Sequence, residues 1–222
     1  MGISNHCKVA MGKTSGRDLS SGWIGPVKHT YHHGNLAAAV LQRAAEVIAA
    51  EGPQGFSLRS LAADLGVSHT APRHHFGSRE GVLNALATQG YDWLADRLRR
   101  AREQSGSFLD VGVAYVEFAM AHPAHFQVMF TPALLDGSDP GLQAARQRAF
   151  RELTGGVEQL DGDRRPDDAA AVVAAWSLVH GLATLALNGN FDNVALRALL
   201  ADTDLPTLAR RSASLLFRAP SD

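Results

Sequence analysis

The densest cluster of chemically active side chains is the stretch GVSHTAPRHHFGSRE, residues 66–80, which places His and Arg between two serines. Two kinds of chemistry suit such a cluster. Exposed Arg, His and Ser side chains on a short helix can contact the phosphates and base edges of DNA. Histidines on one face of a helix can instead supply two ligands of a metal ion. The elements around this stretch decide between the two kinds of site.

The metal alternative is the weaker one because the histidine clusters lack a third ligand. Histidines cluster at His29, His32, His33, His74, His75, His122 and His125. No further ligand is evident beside them, and the single cysteine, Cys7, lies far from the others in an N-terminal segment of low apolar periodicity. We therefore predict no metal site and no cofactor.

The segment before the cluster has the pattern of two amphipathic helices. The first begins near Asn35, ends at Gly52-Pro53 and has an apolar stripe at Leu36, Val40, Leu41, Ala44, Val47 and Ile48. The second follows Phe56 and the N-cap Ser57, with apolar residues at Leu58, Leu61, Ala62 and Leu65. Gly66 then occupies the position where a left-handed helix end favours glycine.

A third, short helix is predicted from the N-cap Ser68, with Ala71 and Phe76 facing the core. Pro72 would then be the fourth helical residue, where it removes only the first intrahelical hydrogen bond. The proline also disfavours helical geometry at Ala71, so a later start is the alternative. The second and third helices with their glycine turn predict a helix-turn-helix, and an ordinary polar two-helix corner is the competing interpretation.

The remainder of the chain is predicted to be helical throughout, which makes the fold all-α. A long helix starts at the N-cap Ser78 and runs to about Glu103, with a buried side formed by Val82, Leu83, Leu86, Trp93, Leu94 and Leu98. Prolines and glycines divide the rest into helices at about 107–122, 123–131, 140–160, 166–188 and 204–217. Residues 1–30 have no apolar periodicity and are predicted to be a flexible arm.

Charge and composition favour a soluble protein whose first half approaches a polyanion. Residues 1–103 contain 12 Lys and Arg against 8 Asp and Glu, whereas residues 104–222 contain 9 against 14. We expect no apolar run that approaches the roughly 20 residues of a membrane span. There is no secretory signal and no disulfide framework, so we expect a cytoplasmic protein without a membrane partner.

Residues 34–80 resemble the DNA-binding domain of the tetracycline-repressor (TetR) family. The resemblance lies in the first helix, the entry Phe56–Leu58, the motif LAADLGVS (61–68), the pair His75-Phe76, and Ser78-Arg79-Glu80 before an apolar helix. Thr70 stands where glycine is frequent in the family, and Pro72-Arg73 replaces a frequent aliphatic-tyrosine pair. Arg73 is therefore expected to take over the phosphate contact of that tyrosine or to read a base. The predicted DNA-binding residues are Ser57, Arg59, Ser68, His69, Thr70, Arg73, His74, His75, Ser78 and Arg79.

The second half resembles a TetR subgroup with a Trp-x-x-x-His-Gly signature, here Trp176, His180 and Gly181. The resemblance also covers AYVEFAMAHPAHFQVMF (114–130) and implies a homodimer, a small organic effector in a C-terminal pocket, and repression at a pseudo-palindromic double-stranded DNA operator. The predicted pocket residues are Phe118, His122, Phe126, Met129, Phe130, Trp176 and His180, with Met120 as a further candidate; plain core packing is the alternative for each of them. The expected organisation is an arm (1–30), a helix-turn-helix domain (31–78) and an effector-binding and dimerisation domain (79–218).

Two other classes of function compete with a regulator. The chain has no phosphate-binding glycine motif, no nucleophile elbow and no acid–base pair, so we do not expect an enzyme. The departures at Thr70 and Pro72-Arg73 leave a second alternative, a helical module that binds small molecules or proteins and has lost specific DNA binding. A DNA-binding titration distinguishes these alternatives.

Overall fold

A computed structural model describes residues 36–157, 168–200 and 203–217, and these residues form helices and turns without a strand. The helices are α1 (Leu36–Glu51), α2 (Leu58–Asp64), α3 (Ala71–Phe76), α4 (Arg79–Ser105), α5 (Phe108–Ala121), α6 (Pro123–Met129), α7 (Pro140–Val157), α8 (Asp168–Leu187), α9 (Val194–Leu200) and α10 (Leu205–Phe217). The predicted arm, residues 1–30, lies outside the described residues. The all-α prediction is confirmed, but α9 was not predicted, and short 3₁₀ turns form at Pro132–Leu134 and Asn190–Asp192.

The predicted boundaries of α1 and α2 follow from local capping. Gly52 ends α1 with a φ of 79°, a left-handed conformation that glycine adopts without strain. Ser57 caps α2 by accepting from the backbone N–H of Ser60, whose hydroxyl in turn accepts from the backbone N–H of Ser57. This reciprocal capping box satisfies two backbone donors that a helix start leaves free. The buried stripe of α1 is the predicted one, except that Leu41 is only half-buried.

The predicted start of α3 is wrong. Ser68 does not cap the helix: its hydroxyl lies 3.1 Å from the Thr70 hydroxyl, and Thr70 itself precedes the first helical residue, Ala71. Pro72 is therefore in the first turn, where its missing N–H costs no intrahelical hydrogen bond. It is also buried, whereas Ala71 and Phe76 are half-buried, so the proline ring belongs to the core-facing side of α3.

The long helix α4 connects the helix-turn-helix to the rest of the molecule. Ser78 caps it by accepting from the Gly81 backbone N–H, and Gly106 ends it with a φ of 62°. The helix packs against α1 and α3 on one side and against α5, α6 and α7 further along. Its apolar side is buried as predicted except for Trp93, which is 40% exposed. A single hydrophobic core extends from Leu36 in α1 to Ala209 in α10.

Two contacts hold the region after α6 against α4. The buried side chain of Asn84 accepts from the Asp136 backbone N–H at 3.0 Å and donates to the Asp136 carbonyl at 3.3 Å. The Tyr91 hydroxyl donates to the Met129 carbonyl at 2.8 Å. A Cβ on Gly90 would lie 2.5 Å from the Met129 sulfur, so glycine permits the close approach of α4 and α6.

The sequence-based exclusion of a membrane-length apolar segment is corrected by α8. Residues Ala169–Leu187 form a helix of 19 residues with mean hydropathy 1.8, which is long and apolar enough to cross a membrane by length and composition. Soluble core helices pass the same test, so this is weak evidence for a span. Only 22% of the segment is buried, however, and side chains such as Val173 and Leu185 are exposed. The single chain thus leaves apolar surface of α8 uncovered.

Candidate DNA-contacting groove and ligand cavity

Five of the predicted DNA-binding residues line one groove between α2, α3 and the start of α4. The groove has a volume of about 620 Å³ and is lined by Leu58, Arg59, His69, Thr70, Arg73, Gly77 and Ser78. The side chains of Arg59, His69 and Arg73 are exposed. Within the described residues neither Arg59 nor Arg73 forms an ion pair with a carboxylate, so both guanidinium groups are available to an external anion.

The predicted serine contacts are already engaged in local structure. Ser57 and Ser78 cap α2 and α4, and Ser68 is hydrogen-bonded to Thr70. His74 and His75 are exposed at the end of α3, and the His75 ring lies 6.2 Å from that of Phe76. Of these side chains, Ser78 lines the groove, whereas Ser57, Ser68, His74 and His75 are not among its lining residues.

Arg79 holds the helix-turn-helix together from inside. Its guanidinium donates to the carbonyls of Phe56, at 3.3 Å, and Pro53, and to the Gln54 side chain at 3.3 Å. It also lies 5.0 Å from the centre of the Phe56 ring. These contacts join the start of α4 to the α1–α2 connection, and the predicted DNA contact of Arg79 stays a prediction.

A second site is an apolar cavity of about 700 Å³ among α4, α5, α6, α7 and α8. Its lining comprises Tyr91, Leu94, Leu98, Tyr115, Met129, Phe130, Pro132, Arg146, Gln147, Ala149, Phe150, Leu153, Trp176, Ser177 and His180. Four predicted pocket residues, Met129, Phe130, Trp176 and His180, line it. The lining residues from α4, α5 and α7 were not predicted, since in the sequence they have the pattern of ordinary core and surface positions.

The other predicted pocket residues lie elsewhere. Phe118 and His122 line a separate, polar groove between α4, α5 and α10. Phe126 lines a smaller groove beside α1 and α8, which also includes His180. Met120 is 44% exposed. Of the predicted pocket residues, some therefore line the cavity and the others line neighbouring surfaces.

Three polar side chains form a hydrogen-bonded set in the wall of the cavity. The Trp176 indole N–H donates to the Tyr115 hydroxyl at 3.2 Å, and that hydroxyl lies 2.9 Å from His180 Nδ1. Burial raises the pKa of Tyr115 and lowers the pKa of His180, so both side chains are held neutral. With both side chains neutral, one proton is shared between the Tyr115 hydroxyl and His180 Nδ1, and its position depends on the tautomer of His180.

A histidine pair lies outside the cavity, beside Trp93. The rings of His122 and His125 lie 4.9 Å and 4.8 Å from the Trp93 ring. Burial, with a smaller contribution from His122, lowers the pKa of His125 to about 4. Its Nε2 lies 3.0 Å from the Gln89 side-chain oxygen. Among the residues that the structure describes, no group of three His, Cys, Asp or Glu side chains is arranged to hold a metal ion.

The helix-turn-helix followed by a helical body with an apolar cavity defines the class of helix-turn-helix regulatory proteins. Residues 40–86 match the family described as bacterial regulatory proteins, tetR family, and residues 108–213 match the tetracyclin repressor-like C-terminal domain. The chain belongs to the tetR family of bacterial regulatory proteins. The Trp-x-x-x-His-Gly subgroup stays a prediction.

Two solved structures share the fold of this chain. A Rhodococcus sp. RHA1 protein of unknown function is 30% identical, with a TM-score of 0.69 over 86% of this chain and 97% of that one. A tetR-family regulatory protein from Rhodococcus RHA1 shares the fold at 23% identity, with a TM-score of 0.65 over 84% of this chain and 98% of that one.

Among curated proteins, the HTH-type transcriptional regulator Rv1816 of Mycobacterium tuberculosis is 29% identical over 120 residues, which is 51% of this chain and 49% of that relative. The chain thus spans about half the length of the curated relatives it matches.

Proposed function

We propose that the chain is a DNA-binding transcriptional regulator that binds a pseudo-palindromic operator as a homodimer and is released by a small organic effector. The observation that carries this proposal is the groove with two exposed arginines, Arg59 and Arg73, that have no carboxylate partner among the described residues. A major groove about 12 Å wide admits one helix, and α3 is the helix that exposes polar side chains there. The expected location is the cytoplasm.

Within this proposal the side chains have separate roles. Arg73 reads a base edge or holds a phosphate, and Arg59, His69 and Thr70 contact the adjacent backbone. Ser57 and Ser78 cap α2 and α4, and the backbone amides at these two helix starts are proposed to bind phosphates. The domain boundaries, 31–78 for DNA binding and 79–218 for effector binding and dimerisation, are part of the same proposal.

Dimerisation is proposed to use α8 and α10. One helix-turn-helix contacts only a few base pairs, so two copies related by a two-fold axis are needed for useful specificity. Val173 and Leu185 on α8 and Leu215 on α10 are 56%, 43% and 84% exposed in the single chain. Because α8 and α10 pack against each other, these residues can contribute to one apolar surface that a second copy covers.

The effector is proposed to act through α4, which lines the cavity with Tyr91, Leu94 and Leu98 and begins beside α3. A ligand shifts the equilibrium between two states only by its difference in affinity for them. Coupling of about 1.4 kcal/mol would reduce DNA affinity about tenfold. A ligand that binds tightly without changing DNA affinity would contradict this mechanism for that ligand.

The proposal is tested first by incubating the purified protein with sheared genomic DNA of its host and sequencing the bound fragments. Enrichment of a pseudo-palindrome would support the dimeric regulator and supply the operator for every later measurement. A folded dimer that enriches no sequence at low salt would instead favour the alternative of a small-molecule or protein-binding module without specific DNA binding.

The dimer surface is tested with Val173→Asp and Leu185→Asp in sedimentation experiments. Each variant is expected to shift the dimer towards monomer, because an unpaired carboxylate would be buried at the interface. Leu199→Asp is the matched control, since Leu199 on α9 is apolar and 80% exposed but lies outside the proposed surface. A wild-type monomer at micromolar concentration, or dissociation by the control alone, would contradict the assignment.

A further inference from the structure

The cavity is unusual in the balance of its charged groups. Of the described residues that line it, Arg146 is the one with a formal charge, and no Asp or Glu is among them. The other walls are aromatic and aliphatic, including Phe130 and Phe150. An apolar cavity with one cation and no anion has a definite electrostatic preference among ligands.

The Arg146 guanidinium has no carboxylate partner within the described residues. It lies 5.7 Å from the centre of the Tyr91 ring, which places the cation beside the cavity wall. A neighbouring arginine of α7 provides a contrast: Arg148, two residues further on, forms an ion pair with Asp92 outside the cavity. Arg146 is half-buried, so its charge is less well solvated than that of an exposed arginine, and an anion beside it would be correspondingly favourable.

The uncharged polar groups of the wall favour the same kind of ligand. The Tyr91 hydroxyl proton is donated to the Met129 carbonyl, and the Trp176 indole proton is donated to Tyr115. In the tautomer we assign to His180, Nδ1 accepts from the Tyr115 hydroxyl, and the free polar atom of the imidazole is the Nε2–H donor. A guanidinium and an imidazole N–H therefore face a ligand as donors, and their complement is a group of acceptor oxygens.

We infer that the ligand of this cavity is a small amphipathic acid, an aromatic or aliphatic body with one carboxylate that pairs with Arg146. This inference rests on the proposed function of the cavity as the effector site and specifies the ligand class. A cationic ligand would meet the like charge of Arg146, and a polyphosphate would find one cation and a mainly apolar wall. A single carboxylate matches the fork of donors that a guanidinium presents.

The inference is tested by titration calorimetry of the full-length protein with matched probes that differ only in the polar group. The probes are decanoate, decanol and decylamine, and the aromatic pair naphthoate and naphthylmethanol, all below their aggregation concentrations. The wild-type protein is expected to bind the better-fitting acid about tenfold more tightly than the corresponding alcohol, since one charge-assisted pair at a partly solvated site is worth about that factor.

Variants at α7 assign the preference to one side chain. Arg146→Gln is expected to lower the ratio of acid affinity to alcohol affinity to about one, and measurable binding of the alcohol shows that the cavity is intact. Arg146→Lys, which keeps the charge without the planar fork, should retain part of the preference. The matched control is Arg151→Gln on the same helix, because Arg151 is exposed and outside the cavity lining. It is expected to bind like the wild type.

Different failures have different consequences. Equal or tighter binding of the alcohol or the amine, or an unchanged acid affinity in Arg146→Gln, would overturn the acid inference while the cavity remained a ligand site. If no probe binds, the effector role of the cavity falls together with the inference. Operator binding, measured in the same preparations, then shows whether the DNA-binding part of the proposed function stands independently.

Discussion

The groove between α2 and α3 and the cavity among α4 to α8 differ in how their residues are distributed along the chain. The groove is lined by residues 58–78, a single continuous stretch with local caps and a glycine turn. The cavity combines side chains from residues 91–180, which belong to five helices and to the turn that contains Phe130 and Pro132. The groove also exposes its arginines, whereas the cavity partly encloses its one arginine. A site on contiguous exposed residues can be located from local patterns, and a site assembled by packing requires the fold.

The largest expected effect concerns His125, which is buried beside Trp93 outside the cavity, whereas the histidines of the helix-turn-helix are exposed. Burial holds the pKa of His125 at about 4, against an ordinary value of 6.5. Between these pH values the unfolded chain binds a proton that the folded chain does not, so stability falls as the pH is lowered from 6.5 towards 4. The loss approaches about 3 kcal/mol, and this residue contributes no pH dependence above that window.

Chemical denaturation across this pH range measures the effect in the wild type and in His125→Gln. The variant lacks the titrating imidazole, so its stability should depend less on pH while carboxylates contribute equally to both proteins. His74→Gln is the exposed control and should behave like the wild type. Parallel pH curves for wild type and His125→Gln would show that enclosure of His125 does not depress its pKa.

The next effect tests whether the exposed groove acts on DNA independently of the cavity. Arg73→Ala is expected to weaken binding to the enriched DNA site by about 1–3 kcal/mol for each guanine that the side chain reads. Fluorescence anisotropy with this site and a scrambled duplex measures the change. Arg100→Ala, an exposed arginine on α4, is the control. An equal loss on both duplexes would assign Arg73 to phosphate, and a change in affinity for a cavity ligand would break the separation of the two regions.

Arg79 differs from Arg59 and Arg73 because it lies beside the helix-turn-helix and is hydrogen-bonded within the protein. Arg79→Ala removes donors from the carbonyls of Phe56 and Pro53, and a lost hydrogen bond from a charged donor costs about 1.5–3 kcal/mol when its acceptor is left without a partner. Because Arg79 is partly exposed and water can replace some of its hydrogen bonds, we expect a loss of stability near the lower end of this range. Thermal unfolding measures this loss. If the variant unfolds at the wild-type temperature and its DNA binding depends less on salt, Arg79 contacts a phosphate instead.

The smallest effect is expected at Arg59, the exposed arginine at the start of α2. If it contacts one phosphate per head, Arg59→Ala should lower the steepness of log K against log salt by about 1 for each contact. Stability should change little, since the side chain has no ion pair within the described residues. A titration series in salt with the enriched duplex gives the slope, and an unchanged slope with weaker binding to that duplex alone would make Arg59 a base-reading residue.

The helix-turn-helix could be located from the sequence because the starts of its helices are determined by neighbouring residues. Ser57 and Ser78 occupy cap positions that their own neighbours determine, and both cap as predicted. Ser68 does not cap α3, because the helix starts only at Ala71, which places Pro72 in the first turn where no backbone N–H is needed. The family membership was likewise visible in contiguous motifs.

The cavity was predicted only in part for the opposite reason. Trp176 and His180 were found in a recognisable motif, whereas Tyr91, Tyr115 and Arg146 are separated by long stretches and meet only through packing. Arg146 on an amphipathic helix has the pattern of a solvated surface charge. No local signal distinguishes it from Arg148 or Arg151 on the same helix, and the difference becomes visible only when the direction of each side chain is known.

The packing of α1 against α6 limits how the segment from α1 to the start of α4 can be exchanged between relatives. Ala49 from α1 and Pro123, Ala124 and Phe126 from α6 line the same small groove, so the surfaces of the two helices have to fit each other. A hybrid sensor joined within α4 would place a foreign α1 against this α6. Successful chimeras should therefore require matched residues at Ala49 and Ala124, and a library that varies those positions together should recover more functional hybrids than one that varies the junction alone.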